Sequence, residues 1–236
     1  MLHRECELLS QSDLEQIHHT SMKLLSDVGV ELPHEAVLDA FKRHGFQTDG
    51  NKVYLREDQL LRALETVPPR FTIHARNRDR SVTVGDGEPV FAPGYGAPFV
   101  ADPVAGKRSP TMEDYVRLVR LAHALPNQDL SGHLLVHPQD VPARAAHLHM
   151  LWANMVYSDK PFIGSTEGQI GARHTMEMAS LLFGEDVKDR PVTISLVNSL
   201  SPLSYSAEML DAALEYARWR QPVVIASLAM AGLTAP

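Results

Sequence analysis

Apolar positions in the first third of the chain recur at helical spacing between tight punctuation. Leu14, Ile17, Met22, Leu24, Leu25 and Val28 form one stripe. Ser12 and Glu15 precede it with capping-box spacing, and Gly29 stands where a helix C-terminal glycine belongs. A second helix is expected over residues 33–44, with Pro33 in its first turn and Gly45 at its end. Residues 53–55 read as a brief extended piece, and 57–66 as a third helix ended by Pro68-Pro69. From Phe71 the period falls to two. Phe71, Ile73 and Ala75 alternate with polar residues, as do Val82 and Val84, across the polar turn 77–80. Residues 90–92 and 99–101 flank Pro93-Gly94-Tyr95-Gly96, so 71–101 is expected to be antiparallel β-structure with Tyr95 at a hairpin tip or bend. Residues 102–110 read as a loop, and Thr111 caps a helix running to about His123.

The remainder carries a repeat. Four apolar, β-rich segments, 130–136, 162–165, 192–197 and 223–228, alternate with helical stretches 143–157, 169–183 and 207–219. Pro161, Pro191 and Pro222 precede the last three segments at intervals of 30 and 31 residues. A strand–helix–strand period of about 30 residues is the βαβ unit, and its repetition implies a parallel sheet. A closed (β/α)₈ barrel takes about 250 residues, whereas only 110 follow Pro126. The expected fold class is therefore α/β: an incomplete, first-half TIM-type (β/α) barrel with an N-terminal helical and β-hairpin cap. The domains are a helical cap over 1–70, an antiparallel β segment over 71–110 and four β/α units over 111–236. A small open α/β sheet is the alternative.

Composition narrows the function. Across 236 residues, 29 acidic side chains outnumber 22 basic ones, for a formal charge of -7. That balance argues against an electrostatic nucleic-acid binder. The single cysteine, Cys6, leaves no intrachain disulfide and no cysteine-rich metal site. No apolar run reaches the roughly 20 residues of a membrane span, and residues 1–7 lack a signal-peptide core. A cytoplasmic protein is the expectation. P-loop, dinucleotide and nucleophile-elbow motifs are absent.

Several stretches, in order and spacing, resemble the trimethylamine methyltransferase family, in particular the members without pyrrolysine, which include glycine betaine methyltransferases. They are Ile17-His18-His19 with the run from Leu24 to Val30, Val67-Pro68-Pro69-Arg70-Phe71 leading to Ala75-Arg76-Asn77, the run from Phe91 to Pro98, Arg108-Ser109-Pro110-Thr111, and the run from Val197 to Leu203. The resemblance covers essentially the whole chain. It implies a TIM-barrel enzyme that moves a methyl group from a methylated amine to the cobalt of a corrinoid. The corrinoid is carried by a separate small protein, so no cofactor is expected to be bound directly. The implied partners are that corrinoid protein and a small methylated amine or betaine. Oligomeric state is open. So is a different cobalamin- or pterin-linked chemistry, or a catalytically inert barrel fragment acting in assembly.

A quaternary ammonium has no proton to remove, so such a site supplies position and charge complementarity rather than a base. Tyr95, flanked by glycines, offers an aromatic face for cation–π attraction. Asn198 and Ser199 follow the third apolar segment, where barrel active sites lie, and Tyr205 follows them. They could donate to a betaine carboxylate; Asn and Ser there also serve as turn and cap residues. Ser165, Thr166 and Glu167 occupy the equivalent place one unit earlier, where Glu167 could face a cation or sit at a helix N-terminus. Thr234 belongs to the same face after the fourth segment. The histidines do not suggest a metal. His133 and His137 would be ~13 Å apart along a strand, and His147 and His149, two apart on a helix, point to different sides. Catalytic residues are not identifiable from the sequence.

Overall fold

Local capping and apolar spacing set the N-terminal elements. The computed structural model describes residues 8–104, 106–184 and 187–227. Helix α1 (Gln11–Asp27) is capped by Ser10, not by the expected Ser12. The Ser10 hydroxyl accepts from the Asp13 N–H and the Asp13 carboxylate accepts from the Ser10 N–H, so this reciprocal pair closes two donors two residues earlier. Strand β1 (Val30–Glu31) precedes α2 (Glu35–Arg43), which His34 caps through its ring, leaving Pro33 outside the first turn. Strands β2 (Gln47–Asp49) and β3 (Lys52–Tyr54) pair with β1 in an antiparallel sheet ordered β1-β3-β2. Helix α3 (Glu57–Leu64) follows.

The alternating stretch after Phe71 forms β4 (Phe71–Ile73) and β5 (Val82–Val84), paired antiparallel as expected. Farther on the expectation shifts. Strand β6 (Val100–Asp102) pairs with β7 (Gly106–Arg108), inside the presumed loop, rather than with residues 90–92. The backbone of Phe91 is already engaged: its carbonyl accepts from Asp129 and Leu130, and its N–H donates to the Asp129 carboxylate. Tyr95 is therefore not on a hairpin tip. It lies in an irregular stretch whose Gly96 and Ala97 N–H groups donate to Leu134 and Leu135. Helix α4 (Met112–Ala124) starts at a Thr111–Asp114 capping box, with Arg108 bidentate on Asp114 at 2.6 and 2.8 Å.

The repeat is present as α5 (Ala146–Tyr157), β8 (Phe162–Ile163), α6 (Gly168–Phe183), β9 (Thr193–Ser199), α7 (Ala207–Arg218) and β10 (Val223–Ser227). The three strands form a parallel sheet in sequential order, giving a mixed α/β fold. The first expected strand, 130–136, is not regular. Ser131 bridges Phe162 and extends the sheet, but Val136 bridges Ala97. Gly132 marks the departure, where a Cβ would meet Pro93 and Leu135. Leu228, Thr234 and Cys6 lie outside the described residues.

Helices α5, α6 and α7 cover one face of the sheet through Leu151, Phe162, Met176, Val192, Ala212 and Tyr216. On the opposite, inner face Ile163 and Ile194 pack with Leu130, Ile73 and Tyr95. The β4–β5 pair closes the N-terminal end of that face. His74 donates its N–H to the Pro191 carbonyl, two residues before β9, and Asn77 to Asp159, before β8. The N-terminal sheet docks at the other end. Glu31 exchanges backbone hydrogen bonds with Leu203 and Tyr205, and Leu210 of α7 joins the Val30–Val53 cluster. Val224 and Ile225 of β10 are 41% and 72% exposed, and alternation puts them on opposite faces.

Candidate functional site

Tyr95 reaches across the inner face to the turn after β8. Its hydroxyl lies near the Thr166 side chain, and the Glu167 carboxylate is close enough to act on it electrostatically. Burial pushes the phenol's pKa up, so Tyr95 stays neutral. Burial also raises the Glu167 carboxyl, opposed by His137 and reinforced by Glu208. The β8–α6 turn holds these side chains firmly. Ser165 donates its N–H to the Thr175 hydroxyl and accepts Tyr216 Oη at 2.7 Å on its carbonyl. Its hydroxyl accepts the Glu167 N–H. Gly164 permits this, because a Cβ there would stand 2.2 Å from Tyr216 Oη.

Asn198 comes from the next strand. Alternation along β9 places Asn198 on the face of Ile194 and Leu196, and Ile194 packs in the cluster that includes Tyr95. Ser199 falls on the opposite side by the same parity. Tyr205 is drawn away: its ring packs in the N-terminal cluster, and its N–H donates to Glu31. The structure thus brings together Tyr95, Thr166 and Glu167, puts Asn198 on their face of the sheet, and separates Ser199 and Tyr205 from them. A cavity of about 640 Å³ runs from Tyr95 beneath α4, lined by Phe99, Leu121, Leu125 and Leu135 with Gln128 as a polar contact. It bears no charged side chain, and the nearest carboxylate to Tyr95 that acts on it is that of Glu167.

The histidines sit closer to this turn than their sequence positions suggest. His147 Nε2 is 2.9 Å from His174 Nδ1, and His147 Nδ1 is 3.7 Å from Glu167 Oε2. His133 is fully enclosed beside His147, and burial pushes its pKa down to about 3. Pairing by distance along one element overlooks this group. The usable signal was the 30-residue period, which brings positions in successive helices, such as 147 and 174, side by side. Among the described residues no three His, Cys, Asp or Glu side chains are grouped to hold a metal ion, and none of the described helices is long and apolar enough to cross a membrane.

Comparison with known proteins gives this geometry a context. The family model described as trimethylamine methyltransferase (MTTB) matches residues 2–236. A glycine betaine methyltransferase of Desulfitobacterium hafniense (strain Y51) is 42% identical over 231 residues, covering 97% of this chain and 48% of that protein. Two Eubacterium limosum proteins are each 30% identical. An L-carnitine:corrinoid methyltransferase is matched over 96% of this chain and 48% of its own length, and a proline betaine:corrinoid methyltransferase over 97% and 49%. The chain spans about half the length of these curated relatives.

Proposed function

The chain belongs to the trimethylamine methyltransferase family, and from that premise we propose that it supplies the N-terminal cap and first four β/α units of a betaine- or methylamine-specific, corrinoid-dependent methyltransferase barrel. The observation that carries this reading is the approach of a neutral, partly buried phenol to a carboxylate at the C-terminal end of β8: Tyr95 near Thr166 and Glu167. An aromatic face and an anion together suit a trimethylammonium group, which has no proton to donate and must be held by charge and shape. The sequential parallel strands, with helices on one face and both faces of β10 open, support a barrel that continues beyond β10.

In this reading Tyr95 lies against the methylated nitrogen and Glu167 balances its charge. The Asn198 amide, on the same face, donates to the carboxylate of a betaine. A corrinoid on a separate carrier protein would supply the cobalt nucleophile that takes the methyl group. The pocket's task is to aim one methyl outward, which is positional catalysis.

The test is methyl transfer to cob(I)alamin by the full-length polypeptide, with glycine betaine, proline betaine, carnitine and trimethylamine compared. At least one should be demethylated. Tyr95→Ala should weaken its binding by about 0.5–2 kcal/mol in calorimetry. No transfer from any of the four, or unchanged affinity in Tyr95→Ala, refutes the reading.

A further inference from the structure

Helices α5 and α6 each contribute one histidine to a single contact. The His147 and His174 ring planes are within 2° of each other, with centroids 5.2 Å apart. That separation is the 2.9 Å nitrogen–nitrogen contact plus a ring radius at each end. The rings therefore meet edge to edge in one plane, which is the geometry of an in-line N–H···N hydrogen bond. On the far side of the His147 ring, Nδ1 is buried without a hydrogen-bond partner and faces Glu167. His147 is 6% exposed, while His174 is only half-buried. The three side chains form a row from the helix surface, through His174 and His147, to the carboxylate beside Tyr95.

A ring nitrogen that donates cannot also accept. With both rings neutral, the contact has two polarities. If His147 donates to His174, its own Nδ1 is bare and presents a lone pair to the carboxylate. If His174 donates, His147 must carry its proton on Nδ1, facing Glu167. Protonating His174 at its outer nitrogen leaves only the second arrangement. Burial and the neighbouring His174 push the His147 pKa down, so His147 itself stays neutral. What passes inward is hydrogen-bond polarity.

We propose that His147 and His174 are positioning residues, in which a proton on His174 turns the His147 Nδ1–H towards Glu167 and holds that carboxylate ionised and aimed beside Tyr95. The coupling itself needs only the geometry of the row; its use in holding a cation rests on the function proposed above. The other groups around the row are identified. His137 favours the Glu167 charge and Glu208 opposes it. His133 lies against His147 and stays neutral, and Tyr95 faces the carboxylate as a neutral phenol.

The experiment is a carbon NMR titration of the Glu167 carboxyl in the full-length polypeptide, assigned with Glu167→Gln. His174→Phe removes the polarising ring and should raise the Glu167 midpoint by about one pH unit, a tenfold change in ionisation ratio. His147→Phe should do the same, and the double variant should add nothing further. His174→Asn should restore the wild-type midpoint, because its amide nitrogen stands where Nδ1 does and can still donate to His147. His137→Gln should raise the midpoint even when combined with His174→Phe, since it acts through a separate contact. An unchanged midpoint in His174→Phe, or one that His174→Asn fails to restore, overturns the proposal. Calorimetry with tetramethylammonium between about pH 5 and 8 separates the two readings. A coupled Glu167 titration without tetramethylammonium binding supports the positioning pair and refutes the cation site.

Discussion

Replacing His133 with leucine probes how a buried imidazole governs the acid stability of this fold. His133 is 1% exposed, and neither ring nitrogen has a hydrogen-bond partner. Its backbone carbonyl, by contrast, is held by the Tyr115 hydroxyl, which also accepts from Asn154. Burial first, and then the adjacent His147, push the His133 pKa down to about 3. In an unfolded chain an imidazole titrates near pH ~6.5. The folded value is the lower one, so between these limits the unfolded chain binds more protons. The stability is therefore full above about pH 6.5 and is lost progressively as pH falls towards 3. From pH 7 to pH 5 this single group withdraws about 2 kcal/mol. Leucine is of similar size and has nothing to protonate. In urea unfolding of the full-length polypeptide, His133→Leu should be about 2 kcal/mol less sensitive to that pH change than wild type. At pH 7 it should be as stable as wild type or up to about 1–3 kcal/mol more stable, because no unpaired ring nitrogen remains buried. Equal acid losses in both proteins would refute the reasoning. So would a large loss at pH 7, which would mean that the ring nitrogens have partners.

Three further outcomes follow from named contacts. Gly164→Ala would set a Cβ against Tyr216 Oη and Thr175. It should cost about 1–3 kcal/mol in thermal or urea unfolding, and Tyr216→Phe should relieve part of that loss. Gln221, 4% exposed, accepts from the Val192 N–H and donates to the Val187 and Trp219 carbonyls, tying the start of β9 to the end of α7. Gln221→Leu leaves those groups unpaired and should cost about 2 kcal/mol or more by urea unfolding, with hydrogen exchange accelerated at Val192. Glu167→Gln should reduce tetramethylammonium affinity at pH 7 by a few-fold in calorimetry while leaving the unfolding midpoint nearly unchanged, because the Glu167 N–H bond to Ser165 is made by the backbone.

What the sequence determined by itself is the local and periodic part. The prolines at 161, 191 and 222 stand before β8, β9 and β10, and the apolar runs behind them pair in parallel with α6 and α7 between. Alternation at Phe71–Ile73 and Val82–Val84 found the β4–β5 pair, and Thr111 was recognised as a cap. These features depend on neighbours within a few residues, or on a repeat that buries one face of each element, so residue order is enough to reveal them. That Asn198 stands near the end of its strand was legible for the same reason. The choice among competing partners was decided only in three dimensions. Residues 90–92 have the composition of a strand, yet the Phe91 backbone bonds to Asp129 and Leu130 instead of to β6. Residues 130–136 are rich in apolar side chains, yet after Ser131 the chain leaves β8 for Ala97, where Gly132 packs against Pro93. Tyr205 looked like a strand-end ligand, but its ring fills the cluster under the N-terminal sheet. His147 and His174 are 27 residues apart and become partners only because successive βα units stack α5 against α6. In each case several pairings satisfy the same local preferences, and burial of a particular surface together with the backbone hydrogen bonds it leaves available selects one of them.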